Sequence, residues 1–147
     1  MISLRPFTLR DAPAIQQKQY PEMSMEEIRE MIEEWKTGFF QGKLFEMRAV
    51  TVDGTVVGSV SLYEQTKSIV SVGIEIYPDE RRKGYASAGM RLIMDRARTL
   101  GYRIVQDQVR ADNSAGIALH QSIGFETDGY DFTHAKGRNV LLWLCCL

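Results

Sequence analysis

The chain has 147 residues, enough for one domain with a full hydrophobic core. Eighteen Lys and Arg against nineteen Asp and Glu leave a formal net charge of −1, without the basic excess that nucleic-acid or membrane-surface binding demands. No apolar run approaches the roughly 20 residues of a membrane span, and no repeat, linker or low-complexity tract divides residues 1–147.

The N-terminus lacks the charged region and apolar stretch of a secretion signal. The two cysteines, Cys145 and Cys146, are adjacent. On a strand they point to opposite faces and are poorly placed to bond each other. Nothing in the sequence has metal-ligand spacing. A reducing, cytoplasmic setting without a bound metal is expected.

In chain order, residues 2–7 read as a first strand. Asp11 then reads as a helix cap, with Ala12 and Pro13 as the first helical positions, and this helix runs to about Gln19. Tyr20-Pro21-Glu22-Met23 breaks it. Ser24-x-x-Glu27 is a capping box that opens a second helix. Met25, Ile28, Ile32, Trp35 and Phe39 give that helix one apolar stripe, too short for a coiled coil and read as core packing. Leu44–Val52 and Val56–Tyr63 read as strands joined at Asp53-Gly54, a strong hairpin signal.

Residues 69–90 carry the most information. Val70, Val72, Ile74 and Ile76 alternate with Ser71, Gly73, Glu75 and Tyr77, the period of a strand, and Pro78 ends it. From Tyr85 the period becomes helical: Tyr85, Gly89, Leu92, Ile93, Ala97 and Leu100 share a face, and Gly101 takes the left-handed position after it. Between strand and helix lies Arg81-Arg82-Lys83-Gly84-Tyr85-Ala86. The first amides of a helix lack internal partners and sit at its positive end, a site suited to phosphate. Gly84 leaves the backbone bare, and the three basic residues add charge. The same residues also fit a solvated basic turn. Arg103–Arg110 is the next strand. Asp112 or Asn113 caps a short helix that ends before Gly124. Phe125–Thr133 and Asn139–Leu147 read as the last strands, joined near Lys136-Gly137. The apolar run Val140–Leu147 fits either a central strand or an edge used in a dimer. One strand–helix–strand crossover among hairpins makes an α+β fold with a mixed sheet.

Arg81-x-x-Gly84-x-Ala86 after a strand resembles the Arg/Gln-x-x-Gly-x-Gly/Ala signature of the GNAT superfamily of N-acetyltransferases. Asn113-Ser-Ala-Gly-Ile-Ala-Leu119-His120-Gln-Ser-Ile-Gly124-Phe125 resembles that family's second motif, and the opening Leu4–Ala12 is also typical of it. The resemblance implies a mainly antiparallel mixed sheet flanked by helices and splayed between the fourth and fifth strands. It further implies that acetyl-CoA enters the gap. Free backbone groups of Ile74, Glu75 and Ile76 would then pair with pantetheine, the amides of Arg82, Lys83, Gly84, Tyr85, Ala86 and Ser87 beside Arg81 would take the pyrophosphate, and Asn113 would bond the pantetheine arm.

Acetyl transfer to an amine needs a base, an oxyanion donor and help for the leaving thiolate. A strand amide near Ile76 suits the oxyanion. His120 stands where the family has a tyrosine, and it reads either as the thiolate's acid or cofactor contact or as an ordinary polar residue on a helix flank. Glu75 is the best base candidate, through a water if needed. Some relatives that act on protein N-termini carry a glutamate where this chain has Gln108, which cannot be a base. With the tyrosine also gone, the expectation turns toward a small amine. Tyr20, Glu22 and Met23, from the break between the first two helices, and His134, from the last connection, are the candidate acceptor contacts. Monomer and homodimer both stay open. A coenzyme A-binding module without catalysis is the competing reading, motivated by His120 and Gln108. A P-loop nucleotide site is disfavoured because the Gly-x-x-x-x-Gly-Lys-Ser/Thr spacing is missing.

Overall fold

The computed structural model describes residues 1–147. Strands are β1 (Ile2–Pro6), β2 (Phe39–Phe40), β3 (Lys43–Val52), β4 (Thr55–Glu64), β5 (Ile69–Ile76), β6 (Ile104–Arg110), β7 (Phe132–Thr133) and β8 (Asn139–Cys146). Helices are α1 (Ala12–Lys18), α2 (Met25–Lys36), α3 (Tyr85–Thr99) and α4 (Ser114–Ile123). The sheet runs β1-β3-β4-β5-β6-β8-β7, with β2 paired on β3. Only β5 and β6 are parallel.

Period-2 patterning assigns the two faces. Val50, Val60, Leu62, Val70, Val72 and Ile76 bury against Met90, Ile93, Met94 and Ala97 of α3, with Ile117, Leu119 and Ile123 of α4 at the margin of this core. On the other face Phe7 and Ala49 bury against Ala12 and Ile15 of α1 and Ile28 and Ile32 of α2. Arg96 forks onto Glu46 at 2.7 and 3.1 Å and ties α3 to β3.

The capping box of α2 forms as read: Ser24 Oγ accepts from Glu27 N–H and Glu27 Oε1 from Ser24 N–H, both at 3.1 Å. Asp53 and Gly54 both have positive φ, 48° and 86°, the type I′ hairpin conformation. Asn113 is the residue that caps α4, its Oδ1 accepting from Gly116 N–H at 2.9 Å, while Asp112 pairs with Arg110.

Three expected elements differ. Asp11 does not cap α1 through its side chain. Its carboxylate turns inward to the Arg5 fork, 2.8 Å on each arm, and accepts from Thr8 N–H at 2.8 Å. Phe39 lies outside the α2 stripe, because Gly38 at φ 75° has already ended the helix, and the ring is 64% exposed on β2. Residues 125–133 do not form one strand. Glu126 makes a single bridge to Leu144. The chain then turns on side-chain bonds, Thr127 Oγ1 accepting from Gly129 N–H and Asp128 Oδ1 from Tyr130 N–H, and only Phe132–Thr133 pairs again with β8. The C-terminal run is thus an inner strand, full-length against β6 and thinly covered on its other side.

Candidate active site

The parallel pairing of β5 and β6 lasts three residues, Ile69–Ser71 against Ile104–Gln106. Gln106 Nε2 donates to Ser71 Oγ at 3.0 Å at the last pair. Beyond it the strands part, and a cleft of about 800 Å³ opens between them. Its walls come from the end of β5, the loop into α3, the second half of β6 and the start of α4.

The β5 wall has free backbone. Tyr77 N–H donates to Val57 O on β4 at 2.8 Å. By the alternation of antiparallel pairs, Glu75, opposite Ser59, points its backbone the same way. Ile74 and Ile76 therefore turn theirs toward the gap. Glu75 differs from the expectation here: its backbone is committed to β4, and what it offers the cleft is its carboxylate. Gly58 makes this packing possible, since a Cβ there would lie 2.2 Å from Glu75 O and 2.9 Å from Ile76 Cα.

The loop wall has free amides and positive charge. Ala88 N–H is bonded to Gly84 O at 3.2 Å, so the amides of Tyr85, Ala86 and Ser87 precede the first intrahelical bond. Gly84 stands at the helix N-cap with φ 81°, and Arg82 has φ 64°. Left-handed residues in such a turn make amide concavities that hold anions. Arg81 Nε donates to Ile76 O at 3.0 Å and fastens the loop to β5, and Lys83 pairs with Glu80 at 3.1 Å. Arg82 has no carboxylate partner among the ion pairs.

The far wall holds Asn113, Gly116, Leu119, His120, Gln108 and a residue the sequence reading passed over, Asp107. His120 is buried, with its ring edge-on to Phe125 at 4.9 Å and 6.0 Å from Trp143. Nδ1 lies 2.7 Å from Gly116 O and Nε2 2.8 Å from Asp107 Oδ2. Asp107 Oδ1 accepts from Gln108 N–H at 2.8 Å. Burial works against a charged imidazole, but the bonds to Asp107 and Gly116 and the Asp107 charge outweigh it, so His120 sits above its ordinary pKa. Burial lifts Asp107 above the usual carboxylate value despite the bond to His120. The sequence held one signal for Asp107: on β6 it shares the parity of Val105 and Val109, and a carboxylate on an apolar strand face needs a partner.

On the opposite face, Glu75 Oε2 accepts from Gln19 Nε2 at 3.0 Å and has no cationic partner. Tyr20 follows Gln19 and is half-buried. Burial first, then the charges of Glu75 and Glu22, raise its phenol. Met23 packs at the edge of the α1–α2 core, and Glu22 is exposed beside it. His134 lies in the β7–β8 turn, where its Nδ1 accepts from Lys136 N–H at 2.8 Å. No group of three His, Cys, Asp or Glu side chains converges as a metal site would require, and no helix is long and apolar enough to cross a membrane.

Residues 2–126 match the family model of the acetyltransferase (GNAT) domain, and the chain belongs to this family. An L-methionine sulfoximine/L-methionine sulfone acetyltransferase of Pseudomonas aeruginosa is 28% identical over 81 residues, 52% of this chain and 47% of that protein. The chain therefore spans about half the length of the curated relatives it matches. Two solved structures share the fold. An acetyltransferase from Salmonella typhimurium that modifies the N-terminal serine of ribosomal protein L7/L12 superposes with a TM-score of 0.84 at 18% identity, over 99% of this chain and 95% of that one. Spermidine N-acetyltransferase from Vibrio cholerae, in complex with CoA and spermine, gives 0.80 at 18% identity, over 99% and 95%.

Proposed function

We propose that this GNAT-family chain is an acetyl-CoA-dependent N-acetyltransferase that moves the acetyl group to a primary amine of a small molecule by direct attack in a ternary complex. The observation that carries this is the meeting of three features in one cleft. The Ile74 backbone and the Ile76 N–H face the gap, the Tyr85–Ser87 amides beside Arg81 and Arg82 suit a pyrophosphate, and Glu75, a carboxylate without a cationic partner, stands at the end of the β5 wall. These residues fit coenzyme A as a donor set. Acetyl-CoA supplies the thioester carbonyl that the amine attacks.

Glu75 accepts the proton the amine must lose, directly or through a water, with Gln19 fixing its rotamer. Ile76 N–H, aimed into the gap, is the donor for the developing oxyanion. Tyr20, Met23 and Glu22 flank the approach on the α1–α2 side, and the net acidity of Glu75 and Glu22 favours a cationic amine. His134, in the β7–β8 turn, is not among the residues that line the cleft. Among the similar proteins, one is named for L-methionine sulfoximine and L-methionine sulfone, one for spermidine and one for the N-terminal serine of L7/L12, so the choice of a small amine rests on the acceptor side of this cleft.

The test begins with thermal melting in acetyl-CoA, coenzyme A and ATP, followed by thiol release with a panel of amino acids, polyamines and a serine-initiated peptide. A ligand at 100 times its Kd adds about 2.7 kcal/mol. Stabilisation by the coenzymes and not ATP, with transfer to a small amine, is expected. Acetylation of the peptide alone would replace the small acceptor with a protein N-terminus. Stabilisation without transfer to any amine would leave a coenzyme A-binding module.

A further inference from the structure

Asp107 and His120 behave as one unit in the hydrogen-bond network. Gly116 O is a carbonyl and can only accept, so Nδ1 of His120 carries a hydrogen. Nε2 and Asp107 Oδ2, 2.8 Å apart, must then hold one proton between them, because two lone pairs would repel at that distance and two hydrogens would clash. The alternatives are imidazolium with carboxylate, or imidazole with carboxylic acid. Each stores one removable proton and is neutral as a pair.

Access is uneven. The His120 side chain is 3% exposed and that of Asp107 19%, and both line the cleft opposite β5. A proton stored in the pair therefore leaves by the Asp107 side. The rest of the surroundings isolates the pair. Phe125 and Trp143 flank the ring, and neither member forms an ion pair with any other group. The remaining charged groups of the cleft are Glu75 on β5, Glu80, Arg81 and Arg82 on the loop, and Arg110 on β6. Asp107 is also the first residue past the last β5–β6 pair, at the point where the gap opens.

We propose that Asp107 is the acid that meets the departing thiolate and that His120 is its buried proton store; this rests on the acetyltransferase reading above. When the carbon–sulfur bond breaks, its electron pair stays on sulfur. The shared proton moves from the Asp107 carboxyl to that sulfur and leaves free thiol. The pair is left as neutral imidazole facing carboxylate, lone pair against charge, and this repulsion favours reloading by the proton the acceptor ammonium gives to solvent. Both members stand above their ordinary pKa values, as a pair that keeps a proton at neutral pH should.

Asp107→Asn separates this role from a merely structural one. The amide donates to Nε2 while its oxygen accepts from Gln108 N–H, so every hydrogen bond survives and the stored proton does not. The variant is expected to melt and to bind acetyl-CoA like the parent, with kcat down roughly 100-fold and the pH dependence of kcat near neutrality lost. Parental kcat and pH profile in Asp107→Asn overturn the proposal. A second readout needs no acceptor amine. By ¹⁵N NMR, both ring nitrogens of His120 should stay protonated to higher pH than in a free histidine, and the Asn variant should lose this. A parental ring that titrates at the ordinary value overturns the proposal, whatever the acetyl-transfer assay gives. Failure of the parental protein to acetylate any amine counts instead against the function reading, and the acid role falls with it.

Discussion

Gly58→Ala perturbs the β5 wall from the neighbouring strand, without replacing a residue of the site. The added Cβ would lie 2.2 Å from Glu75 O and 2.9 Å from Ile76 Cα, both backbone, where real Cβ contacts essentially never fall below 3.0 Å. Neither neighbour can rotate away, so the end of β5 must move off β4. Overpacking of this kind costs about 1–3 kcal/mol. At roughly 2–4 °C per kcal/mol for a domain near this size, the melt should fall by about 2–12 °C. The displaced stretch carries Ile74, Glu75 and Ile76, so acetyl-CoA should also lose most of its stabilising effect. Gly89→Ala is the control. There the nearest atoms are side-chain methyls of Val50 and Ile74 at 3.3 and 3.4 Å, which can adjust, and the helix gains about 1 kcal/mol of propensity. The assay is thermal melting of both variants with and without acetyl-CoA. A Gly58→Ala protein that melts with the parent and keeps the full acetyl-CoA shift would refute the claim that close β4–β5 packing shapes the cleft.

Gly84→Glu should abolish the acetyl-CoA shift in melting, because it sets a carboxylate beside the Tyr85–Ser87 amides and forces a side chain into φ 81°; unchanged affinity would remove the pyrophosphate from that loop. Tyr77→Phe should hold or raise the melting temperature. The buried Tyr77 hydroxyl has no hydrogen-bond partner, burial with the nearby Asp11, Glu75 and Tyr20 pushes it up to about 12, and an unmet buried group costs about 1–3 kcal/mol. A clear drop would show that the hydroxyl is satisfied. Burial acts to raise Asp11 and Glu46, but Arg5 with Thr8, and Arg96 with Arg48, outweigh it and hold both below their ordinary values. Their stabilising share is therefore complete above about pH 4, the unfolded range, and is lost as pH falls through the lower folded values. Denaturant melts between about pH 2.5 and 7 should show that loss, and Asp11→Asn should flatten it while lowering stability at neutral pH.

Much of this was legible because period and punctuation agreed. The α2 box at Ser24 and Glu27, the Asp53-Gly54 turn, the β5–α3 junction and the Asn113 cap each joined a local bonding need to a hydrophobic pattern. The errors arose where two local signals competed. Thr127, Asp128 and Gly129 spend their side chains and a positive φ on a turn, and this overrode the apparent strand from Phe125 to Thr133. Gly38 cut off α2 before Phe39 could join its stripe. The cofactor loop could be read because its amides are consecutive in the chain. Asp107 and His120 are thirteen residues apart, on a strand and a helix, and nothing local announces that they share a proton.

The brevity of the β5–β6 ladder has a mechanical meaning. Three residue pairs, Ile69–Ser71 with Ile104–Gln106, are the only strand pairing between a leaf of β1, β3, β4 and β5 and a leaf of β6, β8 and β7. By its hydrogen bonds the sheet divides into two leaves joined by this short ladder. Amides of β6 and β8 should exchange with solvent through an opening of lower free energy than those of β3 and β4. Acetyl-CoA, if it seats in the gap as proposed, should couple the two leaves and slow exchange in β6 and β8 toward that of β3 and β4.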